Sequence, residues 1–182
     1  MNTLKAILAG LSLLCTLLTT NAQYDPSTYG EIGPAYSIIE TADKSDEHKT
    51  LMAAVMAAGL TDRLHSQGPY TVFAPSDQAF ETLSSERLER LLLPENKQEL
   101  KALLTYHMIA GKFTASDILK ALCRGEGSAS FTTLEGNTLR ATMDGIDIVL
   151  TDCLGNTARI TTADADQCNG VIHVIDRVIA PR

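Results

Sequence analysis

The residues that could do chemistry fall into three groups. Ser76 and Asp77 lie together in TVFAPSDQAF, Thr71 to Phe80. His107 follows Tyr106, and His173 precedes Asp176 in GVIHVIDRVI, Gly170 to Ile179. A serine nucleophile needs a base within hydrogen-bond reach and a third group to orient that base. Ser76, His107 and Asp77 supply the types, but Asp77 directly adjoins Ser76, and no G-x-S-x-G turn lifts a serine out of a strand. A P-loop, a dinucleotide fingerprint and an H-E-x-x-H pair are likewise missing from the sequence. His173 and Asp176 are three apart, which on a strand puts them on opposite faces and prevents them from sharing an ion. Asp164 and Asp166 lack the spacing of a calcium loop. No catalytic residue, metal or cofactor is expected.

The elements that must position these side chains are legible in part. Ile38, Ile39 and Ala42 mark a short helix, and Ser45-Asp46-Glu47 reads as the cap of a second. The apolar face of that helix is Leu51, Met52, Val55 and Met56, and Gly59 ends it. Tyr70 to Phe73 is a strand, halted by Ala74-Pro75 because proline lacks a ladder N–H. Ser76 then caps a helix with Asp77 in its first turn. Helical structure continues through Leu83, Leu88, Leu91 and Leu92 to Pro94. The stripe Leu100, Leu103, Leu104, His107 and Met108 forms the next helix, ending at Gly111. On this stripe His107 points inward, and Asp77 is its expected partner. Thr114-x-x-Asp117 matches a capping box for a short helix to about Leu122.

The last third changes character. Ser130–Leu134, Thr138–Met143, Ile146–Thr151 and Thr157–Thr162 alternate as strands, separated by Glu135-Gly136-Asn137, Asp144-Gly145 and Gly155-Asn156. Val171 to Ile179 is apolar on both faces, as a strand covered on both sides must be. Helices first and a meander last predict an α+β domain with helices packed on a twisted antiparallel β-wedge.

Lys5, an apolar run of 13 residues from Ala6 to Leu18 and the small residue Ala22 form a secretory signal peptide over residues 1–22. A membrane span takes roughly 20 apolar residues, more than this run provides. Leu14 is too bulky for lipoprotein processing at Cys15. Residues 23–35 read as an irregular lead-in. Loss of residues 1–22 leaves 14 basic against 22 acidic residues, a net charge of −8. That balance disfavours nucleic acid or an anionic membrane as the main partner.

Cys123, Cys153 and Cys168 remain after export. Cys153 and Cys168 flank the strand-like run Thr157–Thr162, and a bridge between them would contribute about 3 kcal/mol on a chain-entropy basis. That pairing is favoured among three, with one thiol left over.

TVFAPSDQAF, Tyr106-His107 and GVIHVIDRVI, in this order and spacing, resemble the three signature segments of the fasciclin domain over roughly Tyr36 to Pro181. The resemblance implies a secreted, non-catalytic adhesion or binding module for an extracellular protein or polysaccharide. The competing readings are an exported hydrolase and a carrier of a small apolar ligand. It also implies that Asp77, His107 and His173 belong to a structural polar core. In large animal matrix members the Tyr-His segment and an acidic-Ile pair are associated with integrin binding, and the matching residues here are Tyr106, His107, Asp117 and Ile118. An R-G-D and an N-x-[ST] acceptor are absent from the sequence, and the lone domain is similar to the small secreted bacterial members.

Overall fold

The computed structural model describes residues 35–181. The expected signal peptide, and the lead-in up to residue 34, lie outside the described residues.

The first half is mainly helical. Ser37 and Glu40 form a reciprocal capping box that starts α1, Ile38–Asp43. α2, Lys49–Ala58, turns Leu51, Met52, Ala54, Val55 and Ala58 inward and stops at Gly59 in the left-handed conformation. A further helix, α3 (Thr61–Ser66), buries only Leu64, which explains why no periodic pattern announces it. β1 runs from Tyr70 to Pro75, buried throughout. Ser76 caps α4, Asp77–Glu81, as expected. The leucine-rich stretch then divides into α5, Ser85–Leu92, and a 3-10 turn at Pro94–Asn96 before α6, Lys97–Tyr106.

The stripe that predicts a helix through Met108 is cut short. Met108–Ala110 is instead a strand, β2, pairing antiparallel with β1. Hydrogen bonds to another segment override a local helical pattern here. Thr114 and Asp117 then form the expected capping box of α7, Ala115–Arg124.

The remaining strands are β3 (Ser128–Thr132), β4 (Thr138–Asp144), β5 (Asp147–Thr151), β6 (Thr157–Gln167) and β7 (Gly170–Ile175). β3 to β7 form the expected antiparallel meander, and Gly145 in the left-handed region makes the tight Asp144-Gly145 turn between β4 and β5. The sheet order is β2-β1-β7-β6-β5-β4-β3. One pairing departs from the antiparallel expectation: β1 and β7 run parallel, joined residue by residue from Tyr70–Gly170 to Pro75–Ile175. Gly170 is required at that junction, because a Cβ there would lie 2.0 Å from the Tyr70 carbonyl oxygen. A bridge between Ile109 and Thr133 links the two ends of the sheet and nearly closes it into a barrel.

β7 is central, as the two apolar faces of its run require, but it stops at Ile175, and Asp176 to Ile179, expected to continue it, are not strand. Ile172 joins the core built with the helices, among them Leu51, Val55, Leu100 and Leu104. Ile175 joins the core inside the curved sheet, with Phe73, Tyr106, Ile118, Leu139 and Leu150. No helix among the described residues is long and apolar enough to cross a membrane.

Candidate functional site

His107 caps the C-terminus of α6 and is 3% exposed. Its Nδ1 lies 2.8 Å from the Leu103 carbonyl, and its Nε2 accepts the Ile179 amide at 3.2 Å. A carbonyl only accepts, so Nδ1 carries the proton and both ring nitrogens are satisfied. Burial pushes the imidazole down to about 4, against the Leu103 hydrogen bond and the Asp152 charge, which favour protonation. The ring is therefore neutral at physiological pH.

Asp77 is not its partner. The Asp77 carboxylate accepts the amides of Thr50, at 2.8 Å, and Lys49, at 3.2 Å, at the start of α2. Burial works to raise its pKa, but the Thr50 and Lys49 hydrogen bonds outweigh it and hold the carboxyl below its ordinary value. A carboxylate supplied from another segment thus caps α2, where the sequence suggests Ser45 to Glu47. Ser76 is occupied in the same way, its hydroxyl accepting the Ala79 amide at 3.1 Å. The Ser76–His107–Asp77 arrangement does not form.

His173 mirrors His107. It is fully buried, stacked on Phe73, with Nε2 2.8 Å from the Phe113 carbonyl and Nδ1 accepting the Asp164 amide at 3.2 Å. Burial again lowers its pKa. The opposite tautomer is fixed here, and again no nitrogen is left over. His107 and His173 are two separate buried stations, each bonded to backbone groups.

Of the four residues matched to integrin-binding segments, three are inside. Tyr106 is fully buried, donating its hydroxyl hydrogen to the Thr138 carbonyl and accepting the Cys153 amide. Burial pushes its phenol up to about 12. Ile118 is fully buried in the core of the curved sheet. Asp117 alone reaches solvent while its carboxylate closes the capping box with Thr114 and pairs with Lys120. Beside it Leu119 is 40% exposed, and Ile146 at the tip of the β4–β5 hairpin is 94% exposed. Leu119 and Ile146 line one shallow cavity of about 210 Å³ with Ala115, Ile148 and Ile160.

The expected Cys153–Cys168 bridge is not formed, and Cys123, Cys153 and Cys168 are all free and exposed. The reason is β6, which extends to Gln167 instead of ending near Thr162. Cys153 and Cys168 sit beyond its opposite ends, and an 11-residue strand separates its ends by roughly 30 Å. A disulfide needs Cα atoms about 4.4–6.8 Å apart.

Two polar stations escape the sequence reading. Asp152 is buried and accepts the amides of Leu154, Asn156 and Ala180, binding the β5–β6 turn to the C-terminal segment. The turn residues Gly155-Asn156 are its only local signal. His48, the N-cap of α2, is buried with Nδ1 2.8 Å from the Ser45 hydroxyl. Ser45 three residues earlier is a weak hint of that pair.

A fasciclin domain model matches residues 46–181. Protein sll1483 of Synechocystis sp. is 41% identical over 147 residues, covering 81% of this chain and 74% of its own length. Human periostin is 32% identical over 145 residues, covering 80% of this chain and 16% of periostin. A solved FAS1 domain pair from the insect cell adhesion molecule fasciclin I superposes with a TM-score of 0.70 at 18% identity. That match covers 80% of this chain and 51% of the solved one, so the chain spans about half of that structure, and the likeness is one of fold. The segments around Ser76, His107 and His173 all lie within the matched span, and the chain belongs to the fasciclin domain family.

Proposed function

We propose that this protein is an exported, non-catalytic binding module that engages a protein or polysaccharide outside the cytoplasm. One observation carries the reading: the chemistry-capable side chains of the three signature segments are consumed by the fold. His107 and His173 each have both ring nitrogens bonded to the backbone, and Ser76 and Asp77 cap helices. A histidine acting as general base must have a free nitrogen facing substrate, and neither His107 nor His173 has one. The relationship to periostin and to a domain pair from an insect cell adhesion molecule agrees with a binding role.

Partner contact then falls on the outside of α7 and the β4–β5 hairpin, at Asp117, Leu119 and Ile146, and not on Tyr106, His107 or Ile118. A fully exposed isoleucine is the kind of apolar anchor that binding surfaces use. An array of matrix proteins and polysaccharides, probed with the wild type and with Ile146→Asp and Leu119→Asp, tests this. The variants should fold normally and lose the captured partner. Equal capture by all three proteins would remove this face from the account.

A further inference from the structure

Of three buried histidines in the domain, two are saturated and one is not. His48 is 6% exposed, and its Nε2 is the only buried side-chain nitrogen or oxygen among the described residues with no hydrogen-bond partner. The ring lines a cavity of about 210 Å³ with apolar walls from Ala42 of α1, Ala74 of β1, Ala165 of β6, and Ile172 and Val174 of β7, and polar ones from Thr41, Ser45, Glu47 and Thr162. An unpaired buried imidazole is costly, so proteins seldom leave one facing apolar walls unless something else bonds to it.

The backbone is also unusual at this place. Pairing between β6 and β7 slips between Ile160 and Thr162 and again between Thr162 and Ala165, and Asp164 in that stretch has φ 61°. Thr162 and Ala165, on either side of the second slip, both line the cavity. Bulges of this kind re-aim side chains beside binding sites. Imidazole, cavity and bulge meet at one point in the fold.

We infer that this cavity is a binding site for a small, uncharged, largely apolar molecule bearing one hydrogen-bond acceptor, which would meet His48 Nε2–H after a small rotation of the ring, because Nε2 itself has almost no accessible surface. Ser45 permits the tautomer this contact requires: its hydroxyl oxygen accepts the Glu47 amide at 3.2 Å and its hydrogen can be donated to His48 Nδ1, which leaves the ring proton on Nε2. Burial lowers the His48 pKa against the nearby Glu47 and Asp77 charges, keeping the ring neutral. Glu47 also lines the adjoining groove, together with Asp46, Asp77 and Asp176. That acidic mouth repels carboxylates and selects neutral compounds. A dry apolar cavity of about 150 Å³ holds benzene, so about 210 Å³ accommodates roughly eight or nine heavy atoms, the size of a simple aryl ketone or lactone.

The site is independent of the outer face of α7, and its test is separate. Acetophenone, ethylbenzene and benzoate are titrated into the purified protein, with the His48 ring nitrogens followed by NMR and affinity measured by calorimetry. Acetophenone should move the Nε2 resonance saturably. Ethylbenzene, which lacks the acceptor, should bind about tenfold more weakly, and so should acetophenone to His48→Phe. Benzoate should not bind, and Ala165→Leu, which fills the cavity, should abolish acetophenone binding. Absence of a saturable shift in the wild type, or acetophenone affinity unchanged in both variants, overturns the inference. Neither result touches capture of a macromolecule by the outer face of α7.

Discussion

The neutrality of His107 has a measurable consequence for stability in acid. Folding holds this imidazole from an ordinary value of 6.5 down to about 4, because the charged form cannot be hydrated where it sits. In the unfolded chain it protonates near 6.5. Its contribution is therefore complete above that pH and is lost as pH falls from about 6.5 to about 4, as protons bind the unfolded state preferentially. The full difference is about 3 kcal/mol, a large share of the 5–15 kcal/mol typical of a domain. Urea unfolding of the wild type and of His107→Gln, at steps from pH 8 to pH 4, isolates the effect. Glutamine offers a donor and an acceptor without titrating, and the carboxylates common to both proteins cancel in the difference. The wild type should lose about 3 kcal/mol more than the variant across this range. Parallel stability profiles would show that the ring is not held neutral by burial, and the reasoning about His107 would fail.

His107→Ala should cost about 3–5 kcal/mol in urea unfolding at pH 7, since it opens a cavity and leaves the Ile179 amide buried without a partner. Asp117→Ala, on the solvent side of α7, should change stability far less while weakening partner capture. Asp77→Ala should destabilise by about 1–2 kcal/mol through the start of α2, measured the same way, and leave the His107 resonances unmoved. Alkylation without reduction should label Cys123, Cys153 and Cys168 alike, and a Cys153–Cys168 peptide in the mass map would contradict the separation imposed by β6. Amide exchange should be slowest in Ile172 to Ile175, paired on both sides by β1 and β6, and rapid exchange there would refute the central placement of β7.

The features carried by local chemistry are those the sequence makes legible. Ser76, the Thr114–Asp117 capping box and the Asp144-Gly145 turn each depend on neighbours within a few residues, and each is found where expected. The double-faced run from Val171 identifies the central strand for the same reason. Long-range pairing is what the pattern hides. Met108 continues a helical stripe perfectly well until β1 takes its backbone. β6 outruns its expected end because its second half pairs with β7 across slipped registers, where alternation fails. The partners of His107 and His173 are carbonyls and amides, which every residue has, so no residue type marks them. Asp77 serves a helix 27 and 28 residues upstream, and its adjacency to Ser76 draws attention to the wrong helix. The same arithmetic applies to binding: Tyr106 and Ile118 have residue types suited to contact, but only the packing reveals that they face inward.

The chemistry-capable residues of the three signature segments serve the fold, and contact with a partner is made on the exposed surface of the domain. This assignment is tested most directly by one comparison of His107→Gln with Ile146→Asp, both confirmed folded, on the binding array and in a broad ester and glycoside turnover screen. No protein should show turnover, His107→Gln should retain capture, and Ile146→Asp should lose it. Turnover by the wild type that disappears in folded His107→Gln would contradict that assignment.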